Sequence, residues 1–136
     1  MLERFLQAQD NGVYERALSE IQSGRKESHW MWFIFPQIEG LGQSYTAQYY
    51  ALTPITARQY IQHPILRSRL IEISQAVRDL NAPDICTVFG YPDYLKFQSC
   101  MTLFSIVAPE NPIFTQNLQL YFRGERCRHT ESVLKE

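Results

Sequence analysis

Glycine and proline residues divide this chain into short segments, and this division restricts the folds that it can adopt. Apolar residues recur at helical spacing within the segments, most clearly from Pro64 to Leu80, where they form one stripe. The alternation of apolar and polar residues that is typical of half-buried strands is absent. We therefore predict an all-α fold: a compact single domain of about six to eight short helices that spans residues 1–136.

Residues that favour helix N-termini precede several of these segments. Thr53 and His63 are each followed by proline, which suits an N-cap followed by the first helical position. Ser44 and Asp84 carry side-chain oxygens that can accept hydrogen bonds from free helical amides. We therefore expect helices to begin directly after these four residues.

The charge balance excludes some classes of protein. Thirteen Lys and Arg residues face fourteen Asp and Glu residues, for a net charge of -1. This balance argues against a basic nucleic-acid binder and against a polybasic membrane-surface module. The longest wholly apolar run, Trp30–Phe35, is far below the roughly 20 residues that a membrane-spanning helix needs. We predict a soluble, cytoplasmic protein with neither nucleic acid nor membrane as a partner.

The three cysteines predict reduced thiols and no disulfide framework. Cys86, Cys100 and Cys127 form an odd set with no closely spaced pair. Cys127 and His129 are potential metal ligands, but a second pair at zinc-site spacing is missing. We therefore predict no metal site and no cofactor.

The most unusual stretch of the chain is Ser28–Gln37, which reads Ser-His-Trp-Met-Trp-Phe-Ile-Phe-Pro-Gln. Ser28 as an N-cap and Pro36 as a stop favour a short helix between them. One interpretation is a buried core element whose indoles find hydrogen-bond partners inside the protein. The other interpretation is that one aromatic face, including Trp30, lines a concave site. The polar residues at the mouth of that site would be Lys26, Ser28, His29 and Gln37.

Several stretches of this chain together resemble one known family. They are Arg4–Gln9, Tyr14–Lys26, Ser28–Gln37 and Asp93–Phe104, and the aromatic run is the most specific of them. These stretches resemble the uncharacterised family labelled domain of unknown function 1810. The resemblance implies a mainly α-helical single domain from a chiefly bacterial family, and it implies no activity. The family's Ser-Ser pair is Ser99-Cys100 here, which weakens a nucleophilic role for that position.

The helix that is predicted to start near Pro92 carries further polar candidates. Lys96 and Ser99 lie on nearly one face of it, among many apolar residues. Lys96 either forms an i,i+3 ion pair with Asp93 or meets an anionic ligand. A nucleophile at Ser99 or Cys100 would need His29 as its base, although about 70 residues separate them.

Two functions of different classes follow from these residues. The first is a domain that binds a small polar or anionic ligand in an aromatic-lined pocket. The alternative is a small hydrolase or transferase acting on a nucleotide-like metabolite, so enzymatic activity stays open. In that case His29 is the general acid or base, because imidazole ordinarily titrates near neutral pH, and Lys96 orients an anionic group. A homo-oligomer through exposed aromatic residues is also open. The ligand-binding candidates are Lys26, Ser28, Trp30, Gln37 and Ser99.

Overall fold

The computed structural model describes residues 2–135, which form ten α-helices. No β-strand occurs within this range, and an isolated parallel bridge joins Ile38 to Leu52. The helices are α1 (Glu3–Gln9), α2 (Val13–Gln22), α3 (Met31–Ile34), α4 (Tyr45–Tyr49), α5 (Pro54–Gln62), α6 (Pro64–Leu80), α7 (Ile85–Phe89), α8 (Asp93–Val107), α9 (Ile113–Phe122) and α10 (Arg128–Lys135).

The all-α prediction is confirmed, but the prediction of six to eight helices is too low. Three helices, α3, α4 and α7, have only four or five residues. Such pieces are too short to show an apolar period and are unstable in isolation. Caps and packing stabilise them: Ser44 accepts a hydrogen bond from Ala47 N, and Asp84 accepts one from Cys86 N. In α3 the stabilisation comes from burial of Met31 and Ile34.

The predicted helix starts at Thr53 and His63 are confirmed as well. Thr53 forms a capping box with Thr56, and His63 Nδ1 accepts hydrogen bonds from two amides in the first turn of α6. The predicted N-cap at Ser28 is wrong. The α3 helix begins at Met31, and the Ser28 hydroxyl donates instead to a carboxylate of α2, that of Glu20.

The core lies around α6 and α8. In α6 the predicted stripe is buried through Leu66, Leu70, Ile73 and Val77. By contrast, α8 is buried along most of its length and packs against α5, α7, α9 and α10. Burial of each large apolar side chain contributes about 1.5–3 kcal/mol, so α8 is central to the stability of the fold. No helix within residues 2–135 combines the length and the apolar character that crossing a bilayer requires.

The aromatic segment is largely a core element, as the first interpretation held. Trp30 is 1% exposed, and its indole nitrogen has a hydrogen-bond partner. Phe35 packs edge-on against Phe89 of α7 and Phe97 of α8, with ring centroids 5.7 and 5.2 Å away. Trp32 differs because it is only half-buried. Phe33 is half-buried as well, so the segment buries two of its four aromatic rings, those of Trp30 and Phe35.

Candidate functional site

A groove with a volume of about 490 Å³ lies beside the end of the aromatic segment. It is bordered by the segment itself, by the loop that follows and by α4 with the chain after it. Its lining residues are Trp32, Gln37, Ile38, Glu39, Gly40, Leu41, Gly42, Gln43, Ala47, Gln48, Tyr50, Ala51 and Thr53.

Two backbone hydrogen bonds hold the walls of this groove together. Leu52 N donates to Gln37 O at 2.9 Å, and Glu39 N donates to Leu52 O at 2.8 Å. These bonds form the parallel bridge between Ile38 and Leu52. The chain between the two bridged positions therefore forms a closed loop, and the groove is a feature of that loop.

The loop is packed too closely for side chains at two glycines. A Cβ at Gly42 would lie 2.5 Å from Ala47 Cβ and 3.3 Å from Trp32 Cη2. Gly40 has a φ of +93°, and a Cβ there would lie 2.7 Å from His129 Nε2. The His129 ring nitrogen also hydrogen-bonds Glu39 O at 2.9 Å. Helix α10 thus fixes the loop at the rim of the groove.

Gln37 is a buried residue in the wall of the groove, and its side chain lacks hydrogen-bond partners. The residue is 6% exposed, and its Nε2 is buried without a partner. Within residues 2–135, no hydrogen bond uses its Oε1 either. Gln48, another amide of the lining, is held by a bond from its Nε2 to Gln43 O at 3.0 Å. Most buried polar groups in proteins are paired. Five buried side-chain atoms of the described residues are not, and of these Gln37 Nε2 belongs to a residue of the groove lining.

Trp32 connects the groove to a cluster of charged side chains. The Lys96 ammonium lies 4.0 Å from the centroid of the Trp32 ring and covers one of its faces. Because Lys96 occupies that face, Trp32 contributes its other face or an edge to the groove. The same ammonium lies 3.1 Å from Asp93 Oδ1. The ion pair that the spacing of Asp93 and Lys96 predicted is therefore present.

Lys26 joins this pair from outside α8. Its ammonium lies 3.0 Å from Asp93 Oδ2 and donates to Ser28 O at 2.7 Å. The Lys26 side chain is 9% exposed, while those of Asp93 and Lys96 are 19% and 20% exposed. Two ammonium groups thus share one carboxylate, and the anion that Lys96 meets belongs to the protein itself.

Glu20 is a residue of this region that the sequence reasoning missed. Its Oε1 accepts from Glu27 N, Ser28 N and Trp30 Nε1 at 2.8–2.9 Å. Burial opposes the charged form of Glu20, but the hydrogen bonds outweigh this effect and lower its pKa to about 2 from 4.5. A signal for Glu20 existed, because it lies three residues after Ala17 and so beside the buried face of α2.

The remaining candidates lie apart from the groove. His29 is exposed, and within residues 2–135 no hydrogen bond orients its imidazole. Ser99 is buried and donates to Leu95 O at 3.1 Å within α8. Cys100 is fully buried, and this burial raises the pKa of its thiol well above the ordinary value.

The structure therefore separates the candidates into groups. Lys26, Ser28 and Lys96 meet around Asp93, whereas Gln37 lines the groove. Trp30 belongs to the core and to the Glu20 contact. Convergence of His29, Gln37, Lys96 and Ser99 in one pocket would mark a single site. Of these four residues, the groove lining includes Gln37.

Comparisons with known proteins agree with this fold. The model of the family described as "Protein of unknown function (DUF1810)" matches residues 1–134. The crystal structure of a conserved hypothetical protein from Mycobacterium tuberculosis superposes with a TM-score of 0.95 at 40% identity. That match covers 99% of this chain and 96% of the mycobacterial chain. No curated protein matches the chain.

Proposed function

Since the chain belongs to the DUF1810 family, whose description names no activity, we propose its role from the groove: it binds a small, uncharged polar molecule there. The observation that carries this proposal is the unpartnered amide of Gln37. A buried donor without an acceptor costs about 1–3 kcal/mol. Because Nε2 itself is buried, a ligand in the groove that offers an acceptor would remove this cost after the terminal amide rotates toward it.

The size and the walls of the groove support the same proposal. Its volume of about 490 Å³ falls in the range of small-molecule sites. Trp32 and Tyr50 are half-buried aromatic residues of the lining, and they supply apolar surface. Such sites typically combine apolar walls with few polar groups that fix the orientation of the ligand.

The charges favour an uncharged ligand over an anionic one. Among the lining residues, all of which lie in the described part of the chain, Glu39 is charged and no lysine or arginine occurs. The nearby ammonium groups of Lys26 and Lys96 are both paired with Asp93. An anion in the groove would therefore meet an acidic residue of the lining and no lysine or arginine of the lining.

No contact favours the hydrolase or transferase alternative. A general acid or base must be positioned, usually by a hydrogen bond that orients its ring. His29 makes no such bond within residues 2–135, and it is not part of the groove lining. We therefore keep binding as the proposed function.

A thermal-shift screen followed by calorimetry tests the proposal. Nucleosides, free sugars, polyols and small amides are the uncharged probes, and the corresponding phosphates are matched anionic probes. We expect stabilisation by an uncharged probe that is lost in Gln37→Met and kept in Gln59→Met, an exposed glutamine of α5. A screen without any shift, or a ligand that binds Gln37→Met equally well, overturns the proposal.

A further inference from the structure

We infer that the ligand of the groove carries a 6-aminopurine ring, as in adenosine, with Gln37 reading its amino edge. This inference rests on the proposed binding function and narrows it to one chemical class. Three features carry it: an unpartnered amide, an aromatic wall, and an acidic residue in a lining that includes no lysine or arginine.

The amide of Gln37 offers a donor next to an acceptor, and both are unused within the described chain. The edge of adenine offers the complementary pair, with N7 as the acceptor and the N6 amino group as the donor. Asn and Gln amides pair with this edge through two parallel hydrogen bonds. The terminal torsion of a glutamine side chain is broad, so a modest rotation can turn the amide edge toward a bound base.

The aromatic wall suits a flat ring. Trp32 has one face under the Lys96 ammonium, which leaves the other face or an edge for the groove. Gly42 already packs against the Cη2 edge of this indole, because even a Cβ there would lie 3.3 Å from it, so stacking would use the face that Lys96 leaves uncovered. Stacking of a base on an aromatic side chain contributes about 1–3 kcal/mol. A sugar or a polyol would gain less from this surface.

Glu39 narrows the inference to a nucleoside. Glu39 is exposed and belongs to the groove lining, beside Gly40. A carboxylate accepts hydrogen bonds from ribose hydroxyls, as acidic residues do in dinucleotide sites. The same charge repels a phosphate, and this effect weakens as salt is added. We therefore expect adenosine to bind more tightly than adenosine monophosphate at low ionic strength.

Calorimetric titration of the full chain with closely related compounds tests this inference. The probes are adenosine, 7-deazaadenosine, which lacks the N7 acceptor, and inosine, which replaces the amino group by an oxygen. We expect each replacement to weaken binding about tenfold, because one hydrogen bond is lost and a buried group stays unpaired. In Gln37→Met all three should bind equally weakly, whereas Gln59→Met should behave as the unchanged protein.

The outcomes separate this inference from the proposed function. Equal affinity of the unchanged protein for the three nucleosides would show that Gln37 does not hydrogen-bond N7 and the amino group. Binding of glucose or a small amide that depends on Gln37, without adenosine binding, overturns the purine assignment but supports the proposed function. If none of these probes binds, both the assignment and the proposed function are overturned. The protein's folding is checked in each variant by its circular dichroism spectrum.

Discussion

The indole nitrogen of Trp30 donates to Glu20 Oε1 at 2.9 Å, and this bond connects the aromatic segment to α2. The same carboxylate accepts from the backbone of residues 27 and 28 and from the Ser28 hydroxyl. A single side chain thereby organises the approach to α3, a helix that has no side-chain N-cap. Glu20 therefore fixes the chain that leads into α3, although the amides it binds precede the helix.

Replacement of Glu20 should therefore destabilise the fold. In Glu20→Ala, the Trp30 indole and two backbone amides lose their acceptor, and we expect a loss of about 2–3 kcal/mol in the free energy of unfolding. In Glu20→Gln one carbonyl oxygen can still accept, so the loss should be clearly smaller. Urea unfolding measures both values. Equal losses for the two variants would contradict the role of the acceptor oxygen.

The same residue predicts a loss of stability in acid. The pKa of Glu20 is about 2 in the folded protein and ordinarily 4.5, so the unfolded chain takes up a proton first as the pH falls. The stabilisation is present above the ordinary value and is lost progressively as the pH falls toward about 2. We expect the urea midpoint to decrease over this window, and to decrease less steeply in Glu20→Gln. Parallel curves for the two proteins would exclude Glu20 as a source of the acid sensitivity.

Because Lys26 and Lys96 share the Asp93 carboxylate, we expect replacement of Asp93 to destabilise the protein more than replacement of Lys96. Asp93→Asn leaves two ammonium groups without a counter-charge, one of them on the 9% exposed Lys26, and we expect a loss of about 2–3 kcal/mol. Lys96→Met keeps the Lys26–Asp93 pair and an apolar stem over Trp32, so its loss should stay below about 1 kcal/mol. Denaturant unfolding measures both. A larger loss for Lys96→Met would show that the cluster is organised around the lysine.

Gln9 and Gln37 are both buried, and they allow a hydrogen-bonded side-chain amide to be compared with an unpaired one. Gln9 is 1% exposed and fully paired: it donates to Phe33 O and the Tyr60 hydroxyl and accepts from Arg69. Gln9→Met should lower stability by about 2–3 kcal/mol, because these partners lose their bonds. Gln37→Met should raise the melting temperature, because it removes an unpaired polar group and keeps the volume. A lower melting temperature for Gln37→Met would mean that this amide is paired in solution.

The tight packing of Gly42 predicts a compensating double replacement. Gly42→Ala places a methyl group 2.5 Å from Ala47 Cβ, and we expect this overpacking to cost about 1–3 kcal/mol. Ala47→Gly removes the opposing methyl group at the cost of about 1 kcal/mol of helix propensity in α4. The double variant should therefore be more stable than the sum of the single losses predicts. Additive losses in thermal unfolding would show that the loop moves away freely.

Local sequence chemistry predicted the parts of the fold that depend on adjacent residues. Thr53 and His63 cap helices because their side chains reach amides two or three residues ahead, and this holds wherever the helix packs. Ser28 looked equivalent, but Glu20 lies on the preceding helix and takes its hydroxyl. A contact between two elements overrode the local preference, and the local pattern carried no sign of it.

The candidate site shows the same limit. The spacing of Asp93 and Lys96 predicted their ion pair, but Lys26 reaches Asp93 from another segment of the chain. Gln37 was a candidate because it ends the aromatic run, but the lack of partners for its side chain depends on how the chain packs around it. The chemistry of a residue can be read from its type and neighbours. Whether its hydrogen bonds are satisfied depends on the tertiary structure.

The contact between His129 and Glu39 makes the groove depend on a helix near the other end of the described chain. Fraying of α10 releases the carbonyl that His129 holds and frees the loop around Gly40. If a molecule binds only the ordered loop, fraying of α10 lowers its affinity. By linkage, the bound molecule then stabilises α10 against fraying by the same free energy. Binding of the proposed ligand would therefore be thermodynamically coupled to the order of α10, although α10 lies outside the groove lining.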